Sequence, residues 1–282
     1  MYNSSSKFDD SQTESIVMIS IYSKDKIFDI YCSLWSLINQ TEKNFLIMIC
    51  LDGEIDLAVR KLINYYKINH QNISIISNFN NIGLASSLNR IIEICIKSHP
   101  NIQYYFRMDA DDICLLNRFE LQLKFLKSYP HVDILGGACK EFGIYNKTII
   151  KPKNDYEIKK KILKITPFIH PSVVFRKRVF LSGIRYPEKT HLSEDLALWL
   201  TLAKRGFIFH NLEDVILYYR LNSNTLKRRM NLKKAISELI SRLNYLSFKK
   251  DNLLLNSFYI ISHFVIRLLP ICVTKILYRI LR

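Results

Sequence analysis

The sequence predicts an α/β fold of three layers, α/β/α, around a mostly parallel central sheet, with amphipathic helices appended at the C-terminus. Short Ile-rich apolar runs alternate with segments whose apolar residues recur every third or fourth position over roughly the first 130 residues, the pattern of strands and crossover helices. The runs are apolar on both faces, as parallel strands buried between helix layers are. Polar residues gather where the runs stop, and in open α/β sheets that edge is the ligand crevice.

Taken in order, residues 16–22 read as a buried strand, and Ile27, Ile30, Tyr31, Leu34, Leu37 and Ile38 as one face of a helix. Residues 45–51 form a second strand, which closes on Asp52-Gly53 and so delivers a carboxylate to the crevice. A helix over about 56–68, a strand over 73–77, a turn at Asn80-Asn81-Ile82-Gly83 and a helix from near Leu84 to about Lys97 follow. The fourth strand, 102–108, ends on Asp109-Ala110-Asp111-Asp112, and apolar residues resume at helical spacing in Leu116, Phe119, Leu123 and Leu126. Asp109 and Asp111, two apart on an extended segment, point the same way. Facing carboxylates repel, and a hard divalent cation, Mn²⁺ or Mg²⁺, relieves that. The bland alternative is a solvated acidic loop; within the cluster, Asp112 is assigned as the N-cap of the next helix.

The 282 residues, 49% of them hydrophobic, suffice for one large domain with an appendage. The net charge of +16 is uneven: over 226–282 twelve Lys or Arg face Glu238 and Asp251, giving 12 − 2 = +10. Six cysteines, at 32, 50, 95, 114, 139 and 272, lack paired spacing and read as buried free thiols in a reducing compartment. Residues 1–15 are Ser-rich and polar, so they are expected to be disordered and carry no secretory signal.

In the second half, 133–137 reads as a strand and turn, 147–164 as a basic solvated helix and its lead-in, and 169–176 as a strand. Ser193-Glu194-Asp195 opens an apolar helix over 196–203, and two closing strands follow at 207–210 and 215–220. The tail is basic and helical over 226–250, with Leu232, Ile236, Leu239, Ile240, Leu243 and Leu246 on one side. Residues 253–273 are mostly apolar but interrupted by Asn256, His263, Arg267 and Pro270, which a spanning helix tolerates poorly. In-plane attachment to an anionic cytoplasmic leaflet fits better; the other reading is a helical pair that packs on the domain or forms a dimer.

Ser36-Leu37-Ile38-Asn39-Gln40-Thr41, Leu51-Asp52-Gly53, Asn81-Ile82-Gly83-Leu84 with Asn89, residues 107–112, and Ser193-Glu194-Asp195-Leu196-Ala197-Leu198-Trp199 occur in this order. Together they resemble the family 2 glycosyltransferases of GT-A fold, in particular bacterial enzymes that assemble capsule, exopolysaccharide or O-antigen. The resemblance covers roughly 16–220, and departs from the family pattern at Ser20 and Ser23, where many relatives carry Pro and Asn around the first Tyr. It implies a GT-A (nucleotide-diphospho-sugar transferase) domain over 16–225, and the pattern of the remainder, described above, makes 226–282 a basic amphipathic helical membrane-associating tail. It further implies inverting transfer of a hexose or N-acetylhexosamine from a nucleotide sugar, UDP-linked, to a hydroxyl of a growing lipid-linked surface polysaccharide, at the inner face of the cell membrane. The implied donor-binding residues are Tyr22, Asp52, Asn81, Gly83, Arg107, Asp109 and Arg220, with Asp109 and Asp111 holding Mn²⁺ or Mg²⁺. Asp195 is the implied catalytic base and Glu194 its near competitor. His170 is either an acceptor-side or phosphate contact or a satisfied structural histidine, Trp199 either a core residue or the edge of the sugar pocket, and Arg220 either a diphosphate contact or a surface residue.

Two other functions were weighed. A metal-dependent nucleotidyltransferase would use the same carboxylates but normally adds a third acid and a Gly-rich phosphate loop, and the chain has seven glycines. A nucleic-acid-binding protein would use the basic tail, but no aromatic-basic interleaving or known motif accompanies it, so no nucleic-acid partner is expected.

Overall fold

The computed structural model describes residues 13–222, 231–269 and 273. The expected disorder of 1–15 falls mostly outside the described residues, as do Lys227, Arg228, Arg229, Pro270 and the last nine residues of the tail.

Four parallel strands form the first half of the sheet: β1 (Ser15–Tyr22), β2 (Leu46–Asp52), β3 (Ile73–Asn78) and β4 (Tyr104–Arg107), in spatial order 3-2-1-4. Helices α1 (Ile27–Ile38), α2 (Leu57–Asn69) and α3 (Leu84–Ser98) cross over between them. Period-two alternation sorts the strands onto two cores. Ile16, Met18, Leu46, Met48 and Cys50 pack with Leu88, Ile91 and Ile92 of α3, whereas Val17, Ile19, Ile21, Ile47 and Ile49 pack with Leu34 and Leu37 of α1 and Val59 and Ile63 of α2. Strand order reverses between β1 and β4, so a crevice opens at their carboxyl ends, where Tyr22, Asp52 and Arg107 stand.

The sheet continues through strands from later in the chain. After β5 (Ile113–Cys114) and α4 (Arg118–Ser128) comes β6 (Ile134–Gly143), whose edge β7 (Thr148–Ile149) extends. The short α5 (Asp155–Lys161) and a 3-10 turn (His170–Ser172) lead to β8 (Val174–Arg176), wedged antiparallel between β4 and β6. Helices α6 (Lys177–Leu181) and α7 (Glu194–Lys204) precede β9 (Phe209–Leu221), which runs parallel to β6 and antiparallel to β5. The tail forms α8 (Leu232–Lys249) and α9 (Leu253–Leu268).

Several sequence expectations need correction. The two closing strands are one, because β9 pairs with β6 along nearly its whole length and absorbs its polar centre in register shifts. The 147–164 stretch is not a solvated helix: only α5 is helical, and Ile158, Ile162 and Leu163 are buried in the core shared with α3 and α7. Residues 169–176 begin as a 3-10 turn rather than a strand, with Pro171 inside that turn. The tail's described part packs on the α/β domain, since Tyr245, Leu246 and Ile260 belong to that same core. Leu246 faces inward and Leu239 packs against the same core, while Leu232, Ile236, Ile240 and Leu243 stay exposed.

Candidate active site

At the carboxyl end of the first strands, Tyr22 and Asp52 are register partners on β1 and β2. Asp52 is 3% exposed, and its carboxylate pins the turn before α3. Oδ1 accepts from Asn78 Nδ2 and the Ile82 N–H, each at 2.9 Å, and Oδ2 accepts from the Gly83 N–H at 2.9 Å. Gly83 has φ +87°, which places its N–H on the carboxylate as α3 begins. Gly53, φ +82°, leaves room for the turn itself, because a Cβ there would lie 2.6 Å from the Asn81 nitrogen.

Beside this turn lies the acidic loop. Asp109, Asp111 and Asp112 each offer an oxygen within 4.8 Å of the others, a donor set that fits a hard divalent cation. The loop is held by side chains of α1 and of a residue just past its end: Ser33 Oγ donates to the Asp109 carbonyl at 3.1 Å, Ser36 Oγ accepts from the Cys114 N–H at 3.0 Å, and Gln40 Nε2 donates to the Leu115 carbonyl at 2.8 Å. Asp112 is not a helix cap. Helix α4 starts at Arg118 with Asn117 at its cap, and Leu116 lies outside it. Asp112 is instead buried, with Oδ1 accepting from the Arg220 N–H at 2.7 Å and Oδ2 lacking a hydrogen-bond partner among the described residues. Burial, then the Asp111 and Asp109 carboxylates, push its pKa well above the ordinary range, the strain that a cation relieves.

Two guanidinium groups serve the same loop. Arg107 is almost fully buried and pairs with Asp109, while its Nε and Nη1 lack hydrogen-bond partners among the described residues. Burial opposes its charge, and the Asp109 carboxylate outweighs that and raises its pKa. Arg220 donates from Nε to the Asp111 carbonyl at 2.8 Å, pairs with Asp29 of α1 at 3.2 Å and lies 4.5 Å above the Phe142 ring. It is therefore a partly buried part of the site, not a surface residue at a strand end.

Residues 17–183 match the family model described as Glycosyl transferase family 2. The chain belongs to this family. It is 31% identical, across 93% of its length and 97% of the other's, to the amylovoran biosynthesis glycosyltransferase AmsE of Erwinia amylovora. It is 32% identical, over 90% of its length and 91% of the other's, to an Escherichia coli UDP-Gal:alpha-D-GlcNAc-diphosphoundecaprenol beta-1,3-galactosyltransferase. The S. aureus TarS 1-349 structure with UDP-GlcNAc superposes with a TM-score of 0.67 at 14% identity, over 90% of this chain and 72% of that one, which establishes the GT-A fold. Family membership makes the enzyme a glycosyltransferase and not a nucleotidyltransferase.

In this glycosyltransferase the ends of β1 and β2 and the acidic loop open into one cavity of about 820 Å³, which Glu194 and Asp195 at the start of α7 also line. Asp195 Oδ1 accepts from the Leu196 N–H at 2.7 Å. Burial, then the neighbouring Asp195, raise the pKa of Glu194. Ser193 does not cap the helix through its side chain; its Oγ lies 2.7 Å from Ser237 Oγ of α8. Ser237 Oγ also accepts from the His191 N–H at 3.2 Å, and Lys234 Nζ donates to the carbonyl of Leu192, whose φ is +52°. Thus α8 splints the loop that presents the two carboxylates.

The transferase's remaining predicted residues divide. His170 lines the cavity, with Nε2 3.1 Å from the Tyr186 hydroxyl; burial, then the Arg107 charge, pull its pKa down to about 3, so the ring is neutral and offers phosphate no charge. Trp199 does not edge the pocket. It is wholly buried, stacked on Phe175 and edge-on to Phe168 and His170. Asn81 and Gly83 do line the cavity. Sequence reasoning gave no site role to Ser33, Asp29, Lys234 and Ser237, and met Gln40 only as part of the 36–41 motif. The only signal was a polar residue on an otherwise apolar helix stripe, such as Ser33 beside Leu34 and Leu37.

Proposed function

We propose that the protein is an inverting, metal-dependent glycosyltransferase that moves a hexose or N-acetylhexosamine from a UDP-sugar to a hydroxyl of a lipid-linked surface glycan. The observation that carries this reading is that the acidic loop and the Glu194-Asp195 pair face one cavity, which at about 820 Å³ has room for a donor and the reacting end of an acceptor. The E. coli relative named above uses a UDP-sugar donor and a diphosphoundecaprenol-linked acceptor by its name, and supports both classes.

Tyr22, Asp52 and the 81–83 turn take the nucleoside; Asp109 takes the ribose. Asp109 and Asp111, with the unpartnered Asp112 oxygen behind them, would hold Mn²⁺ or Mg²⁺, whose chemistry is to neutralise the charge of the departing diphosphate. Arg107 supplies a fixed positive charge beside the same groups. Asp195 takes the proton from the acceptor hydroxyl as its oxygen bonds to the anomeric carbon; the bond from that carbon to the phosphate oxygen breaks, and its electron pair leaves on the nucleoside diphosphate.

The tail supports attachment to a membrane surface. No helix among the described residues is long and apolar enough to cross a membrane. In α9 the polar residues face the protein: Asn256 donates to the Asp251 carbonyl, His263 Nε2 lies 2.8 Å from the Lys164 carbonyl, and Arg267 pairs with Glu238. Leu254, Leu255, Phe258, Ile261, Val265 and Leu268 face outward and are exposed. That inversion of the usual polarity suits a helix lying in the headgroup region of the cytoplasmic leaflet.

The test is release of nucleoside diphosphate from a panel of nucleotide sugars, with Mn²⁺ and with chelator. Turnover of one UDP-sugar is expected with metal, to fall at least about 100-fold in Asp111→Ala. Asp195→Asn should lose acceptor transfer by about 10²- to 10⁴-fold and still bind UDP. Silence across the panel, with no UDP binding by calorimetry, would overturn the reading.

A further inference from the structure

The same cavity is also lined by Lys151, by residues between 164 and 168, and by α8 and α9. The charged groups on that wall are Lys151, Lys164, Lys234 and Arg267 against Glu238, or 4 − 1 = +3. His263, also on it, is held neutral, its pKa pulled down to about 4 by burial and then by Arg242.

Lys234 and Arg267 are built in, with side chains 13% and 22% exposed, whereas Lys164 lines the same wall from an exposed position. Glu238 is nearly buried and receives Arg267 through both oxygens, at 2.6 and 3.1 Å, with Lys234 Nζ at 3.6 Å. One carboxylate thereby fixes two cations at the cavity, and the Lys234 charge also acts on Glu194, which leaves Lys164 without a carboxylate of its own among the described residues. Lys164 is tied to the same helices, its carbonyl 2.8 Å from His263 Nε2 and its ammonium 5.2 Å from the centre of the Tyr259 ring. No carboxylate pairs with Lys164 among the described residues. Holding Lys234 and Arg267 partly out of bulk water costs free energy that an anion would offset.

A neutral glycan has no use for such a wall, and a donor diphosphate has its own partners at the acidic loop. The placement indicates a different anion. Arg267 and His263 lie on the inward side of α9, while Val265 and Leu268 lie on its outward side, one helix width of about 10 Å away. A substrate with its apolar chain in the leaflet along the outward side would bring its phosphate to the inward side.

We propose that Lys164, Lys234 and Arg267 form an anion subsite that receives the phosphate or diphosphate of a lipid-linked glycosyl acceptor and sets how far its sugar enters the cavity. This rests on the glycosyl-transfer reading above. Guanidinium and ammonium groups suit phosphate oxygens, each charge-assisted contact being worth about a tenfold change in affinity.

The experiment is calorimetry of decyl diphosphate, below its micelle concentration, on the full chain saturated with UDP and Mg²⁺, alongside sedimentation with phosphatidylglycerol vesicles. Lys164→Gln is the variant of choice because it strips no carboxylate of a partner. Decyl diphosphate should bind the wild type and weaken about tenfold in Lys164→Gln, with recovery in Lys164→Arg. UDP affinity, vesicle binding and affinity for uncharged decyl glucoside should not change. Equal decyl diphosphate affinity in wild type and Lys164→Gln, with UDP binding intact, would overturn the subsite. So would loss of vesicle binding alone, which would assign the cations to phospholipid headgroups. Failure of the wild type to bind UDP would remove the glycosyl-transfer reading, and the subsite with it.

Discussion

His170 shows how exclusion of water sets a residue's chemistry. Its pKa of about 3 lies below that of an unfolded histidine, so between these values the unfolded chain takes up a proton that the native state refuses. Native stability should therefore fall as pH drops below about 6.5, by up to about 1.4 kcal/mol per unit, less where the cavity lets water in. His263, at about 4, adds a slope of the same sign. Denaturant midpoints between pH 7 and 4.5 should decline, and His170→Gln should decline less steeply; identical slopes would count against the assignment. Asp52, Asp109 and Asp111 could be singled out from sequence because strand periodicity alone puts them at strand ends. The role of Asp112 could not, because it depends on Arg220, which reaches it only through the β5–β9 pairing.

Turns and helix ends transmit the fold to the site. Gly53→Ala would force a Cβ to 2.6 Å from the Asn81 nitrogen at a positive φ. A loss of roughly 1–3 kcal/mol is expected on chemical denaturation, with weaker UDP binding because the 81–83 turn must shift. A second device is the splint that α8 places under residues 191–193. Ser237→Ala should lower kcat for acceptor transfer several-fold and leave the donor KM unchanged. A rise in donor KM instead would place Ser237 on the wrong side of the cavity. The α1 motif 36–41 was recognisable as a pattern, but its task, anchoring residues 114–119 through Ser36 and Gln40, is a contact across more than seventy residues that no local rule predicts.

Over the whole molecule, polarity is divided between a cavity wall and an outer apolar face on one pair of helices. Replacing Leu254, Phe258 and Ile261 together by Gln changes exposed positions only, so melting temperature and UDP binding should hold. Binding to anionic vesicles should fall at least about tenfold, since each buried side chain contributes on the order of 1.5 kcal/mol or more. Vesicle binding that survives the triple substitution would show that α9 packs against something other than lipid.

Sequence determined the α/β class, the parallel first half and the positions of the donor-side carboxylates, because strand and helix periodicities are local and the crevice lies at strand ends by topology. Tertiary structure decided that β8 enters between β4 and β6, that β9 is one strand, and that Trp199 belongs to the core. It also decided that the tail completes the cavity. Helices α8 and α9 turn much of their apolar stripe outward, so periodicity could not say which side faces inward. Packing of Tyr245, Leu246 and Ile260 fixed that, and with it carried Lys234, Glu238 and Arg267 to the carboxylates at the start of α7.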